Sequence, residues 1–134
     1  GESMLGHVTV STGNVDQLKI NSALPSVTLS DKAKDKRVFG VISGFQNGKV
    51  KVSSLGEGAI LVCNKNGNIE NGDYITTSNI LGLGQKQDEA MMMNYTVAKA
   101  TMDCDFTDCA QHENEPEHAA RYKFKLISCT FHCG

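Results

Sequence analysis

Cysteine and histidine collect at the C-terminal end of this 134-residue chain, at Cys104, Cys109, His112, His118, Cys129, His132 and Cys133. Thiolate and imidazole are the ligands zinc prefers, in tetrahedral sets of four. The spacings here, Cys-x4-Cys and Cys-x3-Cys, depart from the short pairs of common zinc fingers and ribbons. The candidate zinc ligands are Cys104, Cys109, Cys129, His132 and Cys133. A disulfide from Cys104 or Cys109 to Cys129 or Cys133 competes with zinc, and inert buried thiols are a third account. On each of the three the cluster is structural and pins the tail rather than catalysing. Five cysteines is an odd number, so at least one thiol stays unpaired or pairs between chains.

The other place with chemistry is the Ser30-Asp31 bond. A carboxylate beside a backbone carbonyl assists cleavage of its own peptide bond when the turn is strained. Ser30 and Asp31 are therefore the self-cleavage candidates, set against an ordinary uncleaved loop. No nucleophile elbow, P-loop or HExxH is spelled anywhere. Gly82-Leu83-Gly84 is too short for a phosphate loop and reads as a turn. Nothing links the acids at Asp88-Glu89 and at Glu113, Glu115 and Glu117 to a base, a cleft or each other, and they read as exposed loop residues. No cofactor is implied besides the zinc alternative.

What must position these groups is β structure. Asn66-Gly67 and Asn71-Gly72 each supply a pair suited to positive φ, as tight hairpin turns require. Around them lie short β-rich pieces: Ala59-Ile60-Leu61-Val62, Tyr74-Ile75-Thr76-Thr77 and Tyr95-Thr96-Val97-Ala98. Upstream, His7-Val8-Thr9-Val10 and Leu18-Lys19-Ile20 read as strands about a Thr12-Gly13-Asn14 turn, and Pro25 breaks the chain before Val27-Thr28-Leu29. The charged run from Ser30 to Arg37 has no apolar period and reads as a solvated loop. Val38-Phe39-Gly40-Val41-Ile42 is apolar almost throughout, as in a central strand covered on both faces, with Gly40 marking a bulge or close backbone approach. Asn47-Gly48 then turns into the alternating Lys49-Val50-Lys51-Val52. Asp88 to Met93 has helical propensity and reads as one turn resting on the core, too short to stand alone. Thr107 to Arg121 reads as a long polar loop, and Tyr122 to Ile127 as the last long strand.

The length suits one domain with a modest core. A formal charge of -2 leaves no basic footprint for nucleic acid, and no apolar run approaches the roughly 20 residues of a membrane span. Gly1-Glu2-Ser3 ahead of Met4 reads as an expression remnant. The expected organisation is thus a remnant over 1–5 and a single β domain over 6–134. The expected fold is all-β, a compact sandwich or barrel of about eight to ten short antiparallel strands and hairpins.

Several segments together resemble a β-rich domain of fibre, spike and appendage proteins of phages and large DNA viruses. They are Asp35-Lys36-Arg37-Val38-Phe39-Gly40-Val41-Ile42-Ser43, Gly56-Glu57-Gly58-Ala59-Ile60 and Asn71-Gly72-Asp73-Tyr74-Ile75-Thr76-Thr77-Ser78. Gly82-Leu83-Gly84-Gln85-Lys86-Gln87 and Asn94-Tyr95-Thr96-Val97-Ala98-Lys99 belong with them. That domain often sits near intramolecular chaperone domains of the endosialidase type, and the group is similar to the autoproteolytic chaperone domain of phage neck appendages. The resemblance implies a virion location and a structural role, assisting the folding and trimerisation of an elongated homotrimer. It brings no catalytic residue with it, because the Ser-Asp-x-Arg-x-Lys-x-Asn-like run of that chaperone is represented only by Ser30-Asp31-Lys32. Two other classes stand beside this reading: a module binding a host-surface glycan, and an autoprotease acting near Ser30-Asp31. Aromatic content of 6% with no Trp weighs against the glycan module, since sugars stack on rings.

Overall fold

Alternating and β-branched runs become strands where the sequence places them, but the pairing between strands is less local than the turns imply. The computed structural model describes residues 2–107, 110–111 and 122–133. Among these, Glu2–Met4 forms a short 3-10 turn and ten strands make two sheets. The first sheet holds β1 (Val8–Lys19), β2 (Ser22–Leu29), β3 (Val38–Gln46) and β4 (Lys49–Ser53), antiparallel in the order β2-β1-β3-β4. The second holds β5 (Leu55–Cys63), β6 (Tyr74–Thr77), β7 (Gly84–Lys86), β8 (Thr96–Ala100), β9 (Ala110–Gln111) and β10 (Lys123–His132), in the order β5-β7-β6-β8-β10-β9. Strand β10 also pairs with β5 from Phe124↔Cys63 to His132↔Leu55. Strands β5, β7, β6, β8 and β10 therefore close on themselves, and closure hides edges that would otherwise seek partners. The fold is all-β.

The two sheets share one core. Val8, Val38 and Val41 from the first pack with Ile60, Val62, Ile75, Val97 and Ile127 from the second. A smaller cluster of Cys63, Ile80 and Leu83 sits beside it, covered by Leu61, Tyr122 and Phe124. Gly6 ties the sheets together: its N–H donates to the Ile42 carbonyl (2.8 Å) and its carbonyl accepts from Leu61 N–H (2.9 Å).

Strand β3 is central, as its apolar run predicts, and Gly40 is the close approach expected of it. A Cβ there would stand 2.5 Å from the Ser53 carbonyl oxygen. At Asn47-Gly48 both residues have positive φ (53° and 75°) and the β3–β4 hairpin closes tightly between Gln46 and Lys49.

Four expectations need correction. Thr12-Gly13-Asn14 is no chain reversal, because β1 runs through it and reverses at Ile20-Asn21. The positive φ of Gly13 (92°) instead accommodates an irregularity in β1–β2 pairing between Ser11 and Val15. Pro25 does not break β2; it lies opposite Val15 in the edge strand, next to a register irregularity between Val15 and Gln17, the kind of place where a sheet tolerates proline. Asn66-Gly67 and Asn71-Gly72 are turns but do not join paired strands, since β7 inserts between β5 and β6 and runs parallel to β5 at Val62↔Gly84. Finally, Asp88 to Met93 forms no helical turn on the core, and Met91 and Met92 are exposed. Gln87, which is buried, takes the helix's place: its Nε2 donates to the Glu89 (3.1 Å) and Met91 (2.7 Å) carbonyls and holds the segment as a loop. Nearly all of the expected loop from Thr107 to Arg121 lies outside the described residues.

Candidate functional site

The C-terminal cysteines arrive at the interior from different strands. Cys129 in β10 faces the core opposite Ala100 and Gly58, at 1% exposure. Cys104 is buried where an isolated bridge joins it to Ile69, with Cys104 N–H donating to Ile69 O (2.7 Å) and Ile69 N–H to Cys104 O (2.9 Å). Cys133 packs on the same core and its thiol donates to the Val97 carbonyl at 3.8 Å. His132 is engaged elsewhere, with Nε2 2.8 Å from Thr130 Oγ1 and its ring edge-on to Tyr74 at 6.5 Å. Cys109, His112 and His118 lie outside the described residues.

These positions favour thiols over thiolates. Burial pushes the Cys129 thiol up to about 12 and Cys133 up to about 11, and burial also raises Cys63. Zinc needs deprotonated sulfur, so apolar surroundings oppose ligation at Cys129 unless a metal itself displaces the proton. Among the described residues no three His, Cys, Asp or Glu side chains converge to hold a metal ion. Cys129 and Cys133 are in no disulfide, so the pairing considered for them is absent from the structure. Both pack against the shared core.

Ser30 and Asp31 are adjacent in sequence and opposite in environment. Ser30 is fully buried; its N–H donates to Val8 O (3.0 Å) and its carbonyl accepts from Gly82 N–H (2.7 Å). Asp31 is exposed. Among the described residues the left-handed φ values outside glycine fall at Lys34 and Asn47, not at this bond.

The charged run that follows is the exposed loop its composition implies, except at Asp35. Asp35 is buried, at 7% exposure, and its carboxylate grips Arg37. The Arg37 guanidinium donates to Asp35 through Nε (3.0 Å to Oδ1) and Nη2 (2.6 Å to Oδ2), while Arg37 N–H donates to Oδ1 at 2.9 Å. Thr77 of β6 locks the loop from the other side: its hydroxyl donates to Lys32 O (2.6 Å) and accepts from Asp35 N–H (2.9 Å). Next to it, Lys34 Nζ meets Glu89 Oε2 at 2.9 Å and Asp88 Oδ2 at 3.6 Å. This latch joins a loop of the first sheet to the barrel, across 42 residues between Asp35 and Thr77. The readable clue was the Asp-x-Arg spacing at 35 and 37; its distant partners were not.

The latch has a pH signature. The hydrogen bond from the Arg37 side chain, chiefly, holds the Asp35 carboxyl below its ordinary value. A depressed folded-state pKa gives stability that is complete above the unfolded carboxylate range, about pH 4, and is lost as pH falls through the folded value. Asp35→Asn should therefore lower unfolding stability by about 1–2 kcal/mol at neutral pH, with the difference from wild type shrinking in acid. Urea titrations at pH 7 and pH 3 check this; an equal gap at both pH values refutes it.

Each of the tyrosines has a lysine ammonium over its ring: Lys99 over Tyr74 (5.6 Å), Lys34 over Tyr95 (5.8 Å) and Lys65 over Tyr122 (5.6 Å). Sugar stacking uses an open aromatic face, and one face of each tyrosine carries a cation. The fold and these sites together define an all-β domain with a closed barrel, a four-stranded side sheet and a polar latch between them. Compared with protein-family models, with curated proteins and with solved structures, the chain matches none.

Proposed function

We propose that this chain is a structural domain of a viral fibre, spike or appendage protein, located in the virion, which helps that protein fold and trimerise. The observation that supports it most is the apolar projection at the distal end of the β1–β2 hairpin. Val15, Leu18, Ile20 and Leu24 are 50%, 79%, 106% and 40% exposed within ten residues of chain. Exposed apolar groups this dense mark a contact surface more often than a solvated one. The segments that carry the sequence resemblance supply β3 and most of the barrel, which gives such a surface a stiff base. A homotrimer would cover it, as closed cyclic symmetry does for most homo-oligomers.

Sedimentation equilibrium tests the proposal. A mass three times the 14.5 kDa protomer is expected, and a strict monomer at high concentration contradicts it. Host-glycan binding is the weaker reading, given the lysine over one face of every tyrosine ring, and self-cleavage at Ser30-Asp31 would have to proceed without a left-handed φ at either residue.

A further inference from the structure

The hairpin does more than project. Beyond the irregularity between Ser11 and Val15 lies its distal half, here called the arm, whose Asp16 and stretch from Ala23 to Val27 line a groove of about 390 Å³ together with Phe39, Val50 and Val52. The groove mixes apolar and polar surface, with one charge of each sign, Asp16 and Lys49. The arm's tip has the matching chemistry: Leu18 and Ile20, both almost fully exposed, flank the single cation Lys19.

Tip and groove cannot meet within one chain. The arm is itself a wall of the groove, so its own tip points past it into solvent. A surface that carries both halves of a complementary contact, in a geometry one copy cannot satisfy, is satisfied by a second copy. Such a head-to-tail contact builds a ring when its rotation closes. The near-balanced charge of the chain, -2, raises little repulsion between copies.

We infer that the arm tip of one copy docks in the arm groove of the next, with Leu18 and Ile20 against Phe39, Val50 and Val52 and Lys19 facing Asp16. This rests on the self-assembling reading above and gives it a contact.

The experiment compares the association of wild type, Leu18→Ser/Ile20→Ser and Leu55→Ser by sedimentation over a hundredfold concentration range. Leu55 is 80% exposed on the barrel and serves as control. All three substituted side chains are solvent-facing, so equal melting temperatures are expected and are measured first. The tip variant should associate at least tenfold more weakly than wild type, while the Leu55 variant associates as wild type does. Asp16→Lys should weaken association as well, and adding Lys19→Asp should restore it. If wild type assembles and the tip variant assembles equally well, the arm contact is wrong and the fibre reading survives. If wild type stays monomeric throughout, both are wrong. Loss of assembly in the Leu55 variant alone also overturns the arm contact.

Discussion

Gly40→Ala should cost roughly 3 kcal/mol of unfolding stability, a large share of the about 5–15 kcal/mol expected of a domain this size. Overpacking causes the loss. A Cβ at residue 40 would stand 2.5 Å from the Ser53 carbonyl oxygen, 3.1 Å from its carbon and 2.7 Å from Val52 Cγ1. The first two are backbone, so no rotamer change relieves them, and β4 would have to move off β3. The site is further pinned because the buried Thr9 hydroxyl donates to the Gly40 carbonyl at 3.0 Å. Gly44, on the same strand, provides the contrast: its nearest neighbours to an added Cβ are Lys51 carbons at 3.9 Å. Gly44→Ala should change stability by no more than about 1 kcal/mol, in either direction. Denaturant midpoints for the pair decide the matter. Equal effects would mean that β3 and β4 are not packed as described.

Ile127→Ala should cost about 2–5 kcal/mol. Ile127 is 1% exposed, lies in the shared core, and pairs across the barrel seam with Ile60, which is wholly buried. Removing three carbons leaves a cavity that two neighbouring sheets cannot both collapse into. Its chain neighbour Leu126 points to the other face, at 53% exposure, and Leu126→Ala should cost under about 1 kcal/mol. The two substitutions remove the same number of carbons from adjacent residues, so their ratio reads the strand's register directly. Reversed magnitudes, measured by thermal or urea unfolding, would shift β10 by one residue and break the barrel closure.

Much of the β content was legible because strands announce themselves locally. Tyr74-Ile75-Thr76-Thr77 matches β6 residue for residue, and the Val38–Ile42 run gives the covered central strand. Asn47-Gly48 is likewise a tight hairpin, its turn chemistry and its pairing agreeing. What stayed illegible is which strands become neighbours. Asn66-Gly67 and Asn71-Gly72 say where the chain bends, yet β7, drawn from a Gly-rich stretch after them, takes the place between β5 and β6. Short strands earn their position through core packing that spans the chain, and no local pattern encodes that. Thr12-Gly13-Asn14 failed for a related reason: the same positive φ serves a turn or an irregular strand.

The chemistry was legible to a smaller extent. Clustering in sequence drew attention to the cysteines and histidines, but alternation along β10 sends Cys129 inward while His132 turns to Thr130 and Tyr74. The groups that do cooperate are far apart in the chain. Lys34 and Glu89 are separated by 55 residues and meet only because the loop after β2 folds over the barrel. Signs of charge at both ends were visible; their meeting was not.

Hydrogen exchange of the wild-type chain, compared between dilute and concentrated samples, puts the whole account at risk in one measurement. Assembly through the arm predicts that amides near Val15 to Leu24 exchange more slowly as concentration rises, while those of the barrel strands keep their rates. Arm amides that exchange equally fast at both concentrations would contradict it.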